Sequence, residues 1–276
     1  KMSVSKNIDI TGGTESIGLT IAKNLSKIDD NKIIIVGSNN QKGKKIIDSL
    51  QLKNLIFLQC DLSEKKESMK LSNELNKLER IDVLINNAGA MFSKRETNSE
   101  NIEKTFALNH LSYFHLSLLL MESLEKSSDG KIINVASNAH KRYPIDLDDL
   151  ENQKNYGGWK SYCKSKLLNV YFTYAFNKKL NTKVKCNCLH PGFVNSNFGN
   201  NNISVMRFAI NTLKNFLAIS CEKAAETPVN LIYDEKYKNV TGKYFFDNKE
   251  IKSSSESYNN EIANAIWDMS LKYHRD

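Results

Sequence analysis

The sequence predicts an α/β fold, in which a doubly wound parallel sheet of seven strands carries helices on both faces. Short apolar runs alternate along the chain with longer stretches of helical periodicity, the pattern of consecutive βαβ units. A glycine-bearing turn, Thr11–Gly18, separates the first apolar run from the first helical stretch. No Pro/Ser-rich linker divides the 276 residues, and 40% hydrophobic residues can build a sizeable core, so we expect a single domain over residues 1–276.

The first half of the sheet is predicted from four apolar runs, each followed by residues with helical spacing. The predicted strands are Ile8–Ile10, Lys32–Val36, Leu55–Gln59 and Val83–Ile85. The predicted helices are Ile17–Ser26, Lys42–Leu50, a stretch through Leu71, Leu75 and Leu78, and a long helix from Asn101 towards Leu124.

The second half of the chain continues the alternation, with one insertion. Strands are predicted over Lys131–Ala136, Val184–Leu189 and Gly242–Phe246. Helices are predicted over Gly158–Leu180 and Lys223–Tyr233, and residues 196–219 form a partly helical insertion between them. The tail Glu256–Lys272 carries Ile262, Ile266 and Met269 at helical spacing, which predicts an amphipathic helix.

The chain is basic, with a formal net charge of +8 from 39 lysines and arginines against 31 aspartates and glutamates. Most of the basic residues are scattered lysines, and the clusters Lys42/Lys44/Lys45 and Lys65/Lys66 are short and fall on predicted helices. Nucleic-acid sites favour clustered arginine and lysine interleaved with aromatic residues. A solvated lysine-rich surface therefore explains the charge better than a nucleic-acid interface, and we expect no nucleic-acid partner.

Cysteine and histidine spacing indicates neither a disulfide scaffold nor a metal site. The five cysteines lack C-x-x-C spacing, and the five histidines form no H-E-x-x-H pattern. We expect reduced thiols, no bound metal and a cytoplasmic protein. No apolar run reaches the ~18 residues of a transmembrane helix. Because the chain opens at Lys1-Met2, an upstream anchor remains the alternative, with the protein contacting a membrane and facing the cytosol.

Tyr162 and Lys166 lie four residues apart on a predicted helix, which places their side chains on one face. A phenol titrates near pH ~10 and is a poor acid or base at neutrality. A nearby ammonium group stabilises the phenolate and lowers that pKa. The pair therefore predicts a general acid–base site, with an ordinary solvated helix face as the alternative.

Four further motifs accompany this pair in a fixed order along the chain. They are Thr11–Gly18, Asn86-Asn87-Ala88-Gly89, Ser137 at the end of the fifth predicted strand, and Pro191-Gly192-Phe193-Val194-Asn195-Ser196. In that order the sequence resembles the short-chain dehydrogenase/reductase family over nearly its whole length. The resemblance implies a Rossmann-type domain with a cofactor half over about residues 1–135 and a catalytic and substrate half over about 136–276.

The resemblance implies roles for four residues. Tyr162 would be the general acid in reduction and the general base in oxidation. Lys166 would hold the nicotinamide ribose and lower the pKa of Tyr162. Ser137 would donate to the substrate oxygen as charge develops on it. Asn109 matches the family asparagine that supports a water-linked proton path, whereas alone it would be read as a buried helix residue.

The resemblance also implies the cofactor contacts. The glycine turn would face the pyrophosphate, Asp61 the adenine, Asn87–Gly89 the adenosine-side ribose, and the segment from Pro191 the nicotinamide carboxamide. The implied contact residues are Thr11, Gly12, Ser16, Ile17, Gly18, Ser38, Asn39, Asp61, Leu62, Asn87, Ala88, Gly89, Tyr162, Lys166, Pro191, Gly192, Val194 and Ser196.

The choice between NAD and NADP depends on the end of the second strand, about 20 residues after the glycine turn. The segment Val36–Asn40 has no acidic residue there to repel a 2′-phosphate. Ser38 and Asn39 can hydrogen-bond a phosphate, and Lys42 can approach it. We therefore expect NADP(H) as the preferred cofactor and NAD(H) as the alternative, which Glu15 supports.

Two residues depart from the family pattern. Ser16 stands where the family has the middle glycine of its turn, and Asp9 lies within a strand that should be apolar. These departures motivate a second hypothesis, a non-catalytic Rossmann scaffold or binding protein. The intact catalytic set counts against it. A third hypothesis is an NAD(H)-dependent enzyme that acts on another small carbonyl or alcohol.

The stretch Asn109–Phe114, the long insert between Ser137 and Tyr162, and Leu189–Gly192 look like the retinol-dehydrogenase branch of the family. That branch interconverts lipophilic aldehydes or ketones and their alcohols by hydride transfer, so the resemblance implies a lipophilic carbonyl or alcohol as substrate. The insertion 196–219 would either cover the substrate pocket or simply pack onto the core. The helices carrying Asn109 and Tyr162 commonly pair subunits in the family, which implies a homodimer.

Overall fold

The computed structural model describes residues 5–28, 30–192 and 219–275. The first six predicted strands all form, with ends within one residue of the predicted ones. The strands are β1 (Asn7–Thr11), β2 (Lys32–Gly37), β3 (Leu55–Gln59), β4 (Val83–Asn86), β5 (Lys131–Val135), β6 (Lys185–Leu189), β7 (Tyr244–Phe246) and β8 (Lys249–Glu250).

All eight strands join in one sheet, in the order β3-β2-β1-β4-β5-β6-β7-β8. Strands β1 to β7 are parallel, as the sequence predicts, but β8 is antiparallel to β7. The predicted parallel sheet of seven strands is confirmed, and within the described residues one short antiparallel strand extends it. The extra strand follows a two-residue turn in which Asp247 and Asn248 take positive φ angles of 47° and 60°, as a tight hairpin turn requires. The strand order reverses between β1 and β4, which creates a crevice at the carboxyl ends of the strands.

Helices cover both faces of this sheet. They are α1 (Ser16–Ser26), α2 (Asn40–Leu50), α3 (Lys65–Leu75), α4 (Lys104–Phe106), α5 (Ser112–Leu119), α6 (Met121–Lys126), α7 (Gly158–Lys179), α8 (Cys221–Tyr233) and α9 (Asn260–Arg275). A π-helical turn, Ala107–Leu111, joins α4 to α5. Short 3₁₀ helices are formed by Asn138–Lys141, Glu235–Tyr237 and Ser255–Tyr258.

The long helix predicted from Asn101 to Leu124 is a series of shorter segments. Asn101 has a φ of 65°, a left-handed conformation that cannot continue into a right-handed helix. The helix starts after Glu103, whose carboxylate accepts hydrogen bonds from the backbone N–H groups of Thr105 and Phe106, both at 2.8 Å. Leu120 leaves helical geometry, with φ −98° and ψ 3°, and separates α5 from α6.

Alternate side chains of the central strands pack into two hydrophobic clusters, one on each face of the sheet. On one face Ile8, Ile10 and Ile35 contact residues of α1, α2 and α8. On the other face Ile34 and Leu84 contact residues of α3, α5 and α7. Burial of both faces explains why the strands read as continuous apolar runs.

The C-terminal helix α9 packs against α5 and α7. The ring of Trp267 lies 5.1 Å from that of Phe114 and 6.0 Å from that of Phe172, and the Nδ1 atoms of His115 and His274 are 3.0 Å apart. Helix α9 thus covers part of the surface through which the predicted homodimer would form. The predicted insertion 196–219 lies outside the described residues, apart from Ile219.

Candidate active site

The glycine turn is tied to the end of β4 by a set of hydrogen bonds. The Thr11 hydroxyl accepts from the backbone N–H groups of Asn87 (2.9 Å) and Ala88 (3.0 Å), and the Asn87 amide donates to the Thr11 carbonyl (3.0 Å). A Cβ at Gly12 would lie 2.8 Å from the Ala88 Cα, and one at Gly18 would lie 2.3 Å from the Gly12 carbonyl oxygen. Only glycine fits at both places, so the turn keeps the close backbone geometry that a pyrophosphate site needs.

Ser16 adopts the conformation of the glycine it replaces. Its φ is 48°, in the left-handed region, where a side chain costs roughly 1–2 kcal/mol. Helix α1 begins at Ser16, so the strain lies at the helix N-terminus that would face the pyrophosphate. Ile17, one residue further, packs partly against the core. The fold therefore retains the turn although the sequence lacks its middle glycine.

Asp61 follows β3 and is held by its own chain. One of its carboxylate oxygens accepts from the backbone N–H of Ser63 (3.0 Å) and from the Ser63 hydroxyl (2.7 Å). Leu62 is buried behind it. The carboxylate is thus fixed at the carboxyl edge of the sheet, where the sequence places the adenine contact.

The end of β2 is exposed and carries mixed charge. Ser38 and Asn39 are both exposed, and the Asn39 side chain caps α2 by accepting from the backbone N–H of Lys42 (2.9 Å). The Lys42 ammonium pairs with the Glu15 carboxylate at 2.5 Å. Lys42 and Glu15 therefore neutralise each other beside the position predicted to select the cofactor.

Tyr162 on α7 and Ser137 after β5 lie next to each other. A side-chain hydrogen bond links them, and the Ser137 Oγ also accepts from the backbone N–H of Ala139 (3.1 Å). The Trp159 ring stacks on the Tyr162 ring at 5.8 Å. Burial raises the pKa of Tyr162 to about 12, and the bond with Ser137 opposes this rise only in part. The phenol is therefore protonated at neutral pH and able to donate.

Lys166 lies on the same face of α7 as Tyr162, as the four-residue spacing predicts. Its Nζ donates to the Val135 carbonyl (2.9 Å) and lies 5.7 Å from the centroid of the Tyr162 ring. Burial lowers the pKa of Lys166 to about 7. Burial dominates both pKa shifts, so the pKa of Tyr162 lies above its ordinary value although an ammonium is close by. The lowering of that pKa by Lys166 stays a prediction.

Asn109 lies in the π-helical turn and reaches the loop after β4. Its amide donates to the Ala90 carbonyl (2.9 Å) and the Ser165 hydroxyl (3.0 Å), and its oxygen accepts from the Ala90 N–H (2.9 Å). A Cβ at Gly89 would lie 3.3 Å from the Lys166 Nζ and 3.4 Å from the Asn109 Oδ1. The π-turn thus brings Asn109 beside Lys166, and turns of this kind are frequent at functional sites.

The segment after β6 begins with Pro191 and Gly192. Gly192 has a φ of 85°, a conformation that favours glycine, and its N–H donates to the His190 Nδ1 (3.2 Å). Val194 and Ser196, which the sequence assigns to the nicotinamide end, lie outside the described residues. Their placement stays a prediction.

Two neighbours of the site have no assigned role in the sequence motifs. The Tyr113 hydroxyl donates to the Ala88 carbonyl (2.9 Å) and lies 3.3 Å from the Val135 carbonyl oxygen, so it joins the ends of β4 and β5 beneath Lys166. Its spacing of four residues from Asn109 is the one signal that could have found it. The second neighbour is His140, whose ring Nδ1 lies 2.7 Å from the Ser137 carbonyl oxygen. Among residues 5–28, 30–192 and 219–275, no cluster of three or more His, Cys, Asp or Glu side chains could hold a metal ion.

The family model for short chain dehydrogenases matches residues 6–205. The chain belongs to this family. It is therefore an NAD(P)-dependent oxidoreductase that interconverts a carbonyl and an alcohol and uses a nicotinamide dinucleotide.

Similar proteins agree with this assignment. Human polyprenol dehydrogenase is 30% identical over 95% of this chain and 83% of its own length. Human retinol dehydrogenase 13 is 31% identical over 95% of this chain and 82% of its own length. These relatives support the retinol-dehydrogenase-like branch that the sequence predicts.

Solved structures share the fold. An uncharacterised protein from Mycobacterium paratuberculosis superposes with a TM-score of 0.78 at 21% identity, covering 98% of this chain and 93% of that one. The Pseudomonas aeruginosa RhlG/NADP active-site complex superposes with a TM-score of 0.69 at 19% identity, covering 93% and 98%. Within the described ranges of this chain, no helix is both long and apolar enough to cross a bilayer.

Proposed function

We propose that this oxidoreductase prefers NADP(H) and interconverts a lipophilic aldehyde or ketone and its alcohol, with Tyr162 as the acid and base. The observation that carries the proposal is the convergence of Ser137, Tyr162, Lys166 and Asn109 at the carboxyl edge of the sheet. The first test is protein fluorescence titration with NADPH and NADH. Binding of neither dinucleotide would favour the scaffold hypothesis instead.

The catalytic roles follow from the geometry of the side chains. The bound cofactor supplies or accepts the hydride. Ser137 directs its hydroxyl towards Tyr162, so both can hydrogen-bond one substrate oxygen. With a pKa of about 12, Tyr162 is protonated at neutral pH, as donation to that oxygen during reduction requires. The raised pKa also makes the phenol a weaker acid, and the Lys166 ammonium would have to offset this rise.

Lys166 would have two roles, to hold the nicotinamide ribose of the cofactor and to lower the pKa of Tyr162. It is buried, and its ammonium donates to the Val135 carbonyl (2.9 Å). The nicotinamide ribose, which the family resemblance assigns to Lys166, would accept a hydrogen bond from this ammonium. The lowered pKa of Lys166, about 7, would then rise as the ammonium gains partners.

The proposed preference for NADP(H) rests on the absence of an acid at Ser38 and Asn39 and on the proximity of Lys42. The same ion pair complicates it, since Glu15 occupies the ammonium that would face a 2′-phosphate. NAD(H) is the rival for this reason.

We expect Glu15→Gln to raise NADPH affinity relative to NADH affinity a few-fold, because the pair is half exposed and such pairs contribute ~0–1 kcal/mol. Lys42→Gln should lower NADPH affinity relative to NADH affinity. Fluorescence titration of both variants with both dinucleotides measures this ratio of affinities. Glu74→Gln, which breaks a similar exposed pair with Lys77 on α3, is the matched control and should leave the ratio unchanged.

Replacing Ser16 with glycine should strengthen dinucleotide binding. Residue 16 has a left-handed backbone conformation, which glycine adopts without strain. Without a side chain at this helix N-terminus, the backbone can come closer to a pyrophosphate. Gln51 also has a φ of 48° but lies at the far end of α2, so Gln51→Gly is the matched control. Titration of the two variants compares them. An equal gain in both would mean that backbone strain, not access to the turn, limits affinity.

The lipophilic substrate is supported by the names of the similar proteins, polyprenol dehydrogenase and retinol dehydrogenase 13. A panel of aliphatic and aromatic aldehydes and ketones of increasing chain length, assayed with NADPH, tests it. A value of kcat/KM that rises with the chain length of the substrate supports the proposal. A preference for short polar carbonyls would favour the alternative of another small substrate.

Three further points stay proposals. A cytoplasmic location is supported by five cysteines that are all unpaired. A single domain with the cofactor half first is supported by the continuous sheet. A homodimer through α5 and α7 would have to accommodate α9, which packs against both helices.

A further inference from the structure

His140 is a buried histidine with a defined partner on each ring nitrogen. It is the third residue of the 3₁₀ helix that follows β5 and Ser137. Its Nδ1 lies 2.7 Å from the Ser137 carbonyl oxygen, and its Nε2 lies 3.0 Å from the backbone nitrogen of Ser254. The ring also packs against Tyr244 of β7, with centroids 5.1 Å apart, and the Tyr244 hydroxyl is a second, longer contact of Nδ1 at 3.3 Å.

These contacts fix the tautomer of the ring. A backbone N–H can only donate, so the His140 Nε2 must accept from Ser254 and carry no proton. The proton is then on Nδ1, where it is donated to the Ser137 carbonyl. Burial lowers the pKa of His140 to about 4, which is consistent with a neutral ring at physiological pH.

The Ser137 carbonyl therefore has two donors from one residue, the backbone N–H of His140 at 3.0 Å and its ring Nδ1. Ser137 itself is in extended geometry, with φ −157° and ψ 151°, immediately before the 3₁₀ helix. Its hydroxyl direction depends on where this carbonyl and the following turn are held. The ring also connects Ser137 to the segment after β8, because Ser254 lies 114 residues beyond His140 in the sequence.

We propose that His140 is a positioning residue for Ser137, which it holds in place by donating from Nδ1 to the Ser137 carbonyl while Ser254 anchors the opposite side of the ring. The inference rests on the proposed function, because it assigns Ser137 a catalytic role. Removing the ring would leave the serine in the site but allow its turn to shift. A shift of about 1 Å in a catalytic group can cost 10²-fold in rate.

A double-mutant cycle tests this role. His140→Ala should lower kcat by up to ~10²-fold, with dinucleotide affinity unchanged in fluorescence titration. Ser137→Ala should lower kcat ~10²–10³-fold. If His140 acts through Ser137, adding His140→Ala to Ser137→Ala should cause little further loss. Losses that multiply in full would overturn the proposal, since a merely structural role acts whether or not the serine is present.

Two further variants separate positioning from general destabilisation. His140→Asn keeps an amide N–H near the Nδ1 position, so it should restore most of the turnover that His140→Ala loses. Turnover of His140→Asn as low as that of His140→Ala would count against the Ser137 contact. His115→Ala removes another buried histidine, on α5, and should leave kcat unchanged.

Amide hydrogen exchange separates failure of this inference from failure of the proposed function. An inactive wild-type protein on every carbonyl tested would refute the proposed function. In that case faster exchange over residues 137–142 in His140→Ala, but not in His115→Ala, would still support the positioning contact. Unchanged exchange there would overturn it.

Discussion

Replacing Tyr162 with phenylalanine should lower turnover by about 10²–10⁴-fold, the usual contribution of a general acid–base group. The variant keeps the ring that stacks on Trp159 and removes only the hydroxyl that bonds Ser137. Folding and dinucleotide binding should therefore survive. The loss should be seen in kcat for reduction of any carbonyl that the wild-type protein accepts, measured by NADPH consumption.

A second tyrosine provides the matched control. The Tyr233 phenol accepts from the Asn31 side chain at the amino edge of the sheet, opposite the proposed site. Tyr233→Phe removes a hydroxyl of the same kind and should leave kcat unchanged. If Tyr162→Phe kept wild-type turnover on any substrate, the acid–base assignment would be wrong. If both variants lost turnover equally, general destabilisation would explain the result.

Local sequence patterns were sufficient to predict most of the sheet and the motifs of the site. Strands such as Lys32–Gly37 are buried on both faces, so their apolar runs are unambiguous. The four-residue spacing of Tyr162 and Lys166 correctly predicts that their side chains share a face. These features depend only on residues close together in the chain.

Features that depend on distant contacts were not predictable. The π-turn at Asn109 inserts one residue into a helical pattern that otherwise reads as continuous. The contact of His140 with Ser254 depends on the folded path of the chain. The direction of the Tyr162 pKa shift depends on burial, which residue spacing does not show. Strand β8 is too short to produce a pattern of its own.

Asp9 is the residue that most clearly departs from the apolar pattern of the strands, and its burial makes the free energy of unfolding depend on pH. It lies in β1 between Ile34 of β2 and Leu84 of β4, with no exposed surface. Within the described part of the chain, neither carboxylate oxygen makes a hydrogen bond of normal geometry. Burial raises the pKa of Asp9 from 3.8 to about 7, and the neighbouring backbone N–H of Ile10 offsets this rise only in part.

The sign of the pH dependence follows from this shift. Between about pH 4 and pH 7 the folded protein keeps a proton on Asp9 that the unfolded chain has lost. The stabilisation relative to the ionised state is therefore present at low pH and is lost as the pH rises towards 7. A shift of about three units corresponds to roughly 4 kcal/mol in the free energy of unfolding, at 1.36 kcal/mol per unit.

Asp9→Val should therefore stabilise the protein, and by more at pH 8 than at pH 5. At pH 5 the variant removes an unpaired but neutral polar group, a gain of about 1–3 kcal/mol. At pH 8 it also removes a buried charge, and the gain should be larger than at pH 5 by roughly 2–3 kcal/mol, which is 1.36 kcal/mol for each of the about two pH units between pH 5 and the pKa of Asp9. Urea unfolding of both proteins at both pH values gives the difference, in which contributions from other titrating groups cancel.

Asp9→Asn retains the polar group but cannot titrate, so its gain over wild type should appear only as the pH rises. A gain for Asp9→Val that is equal at pH 5 and pH 8 would show that Asp9 keeps its charge in the folded protein, with a partner that stabilises it.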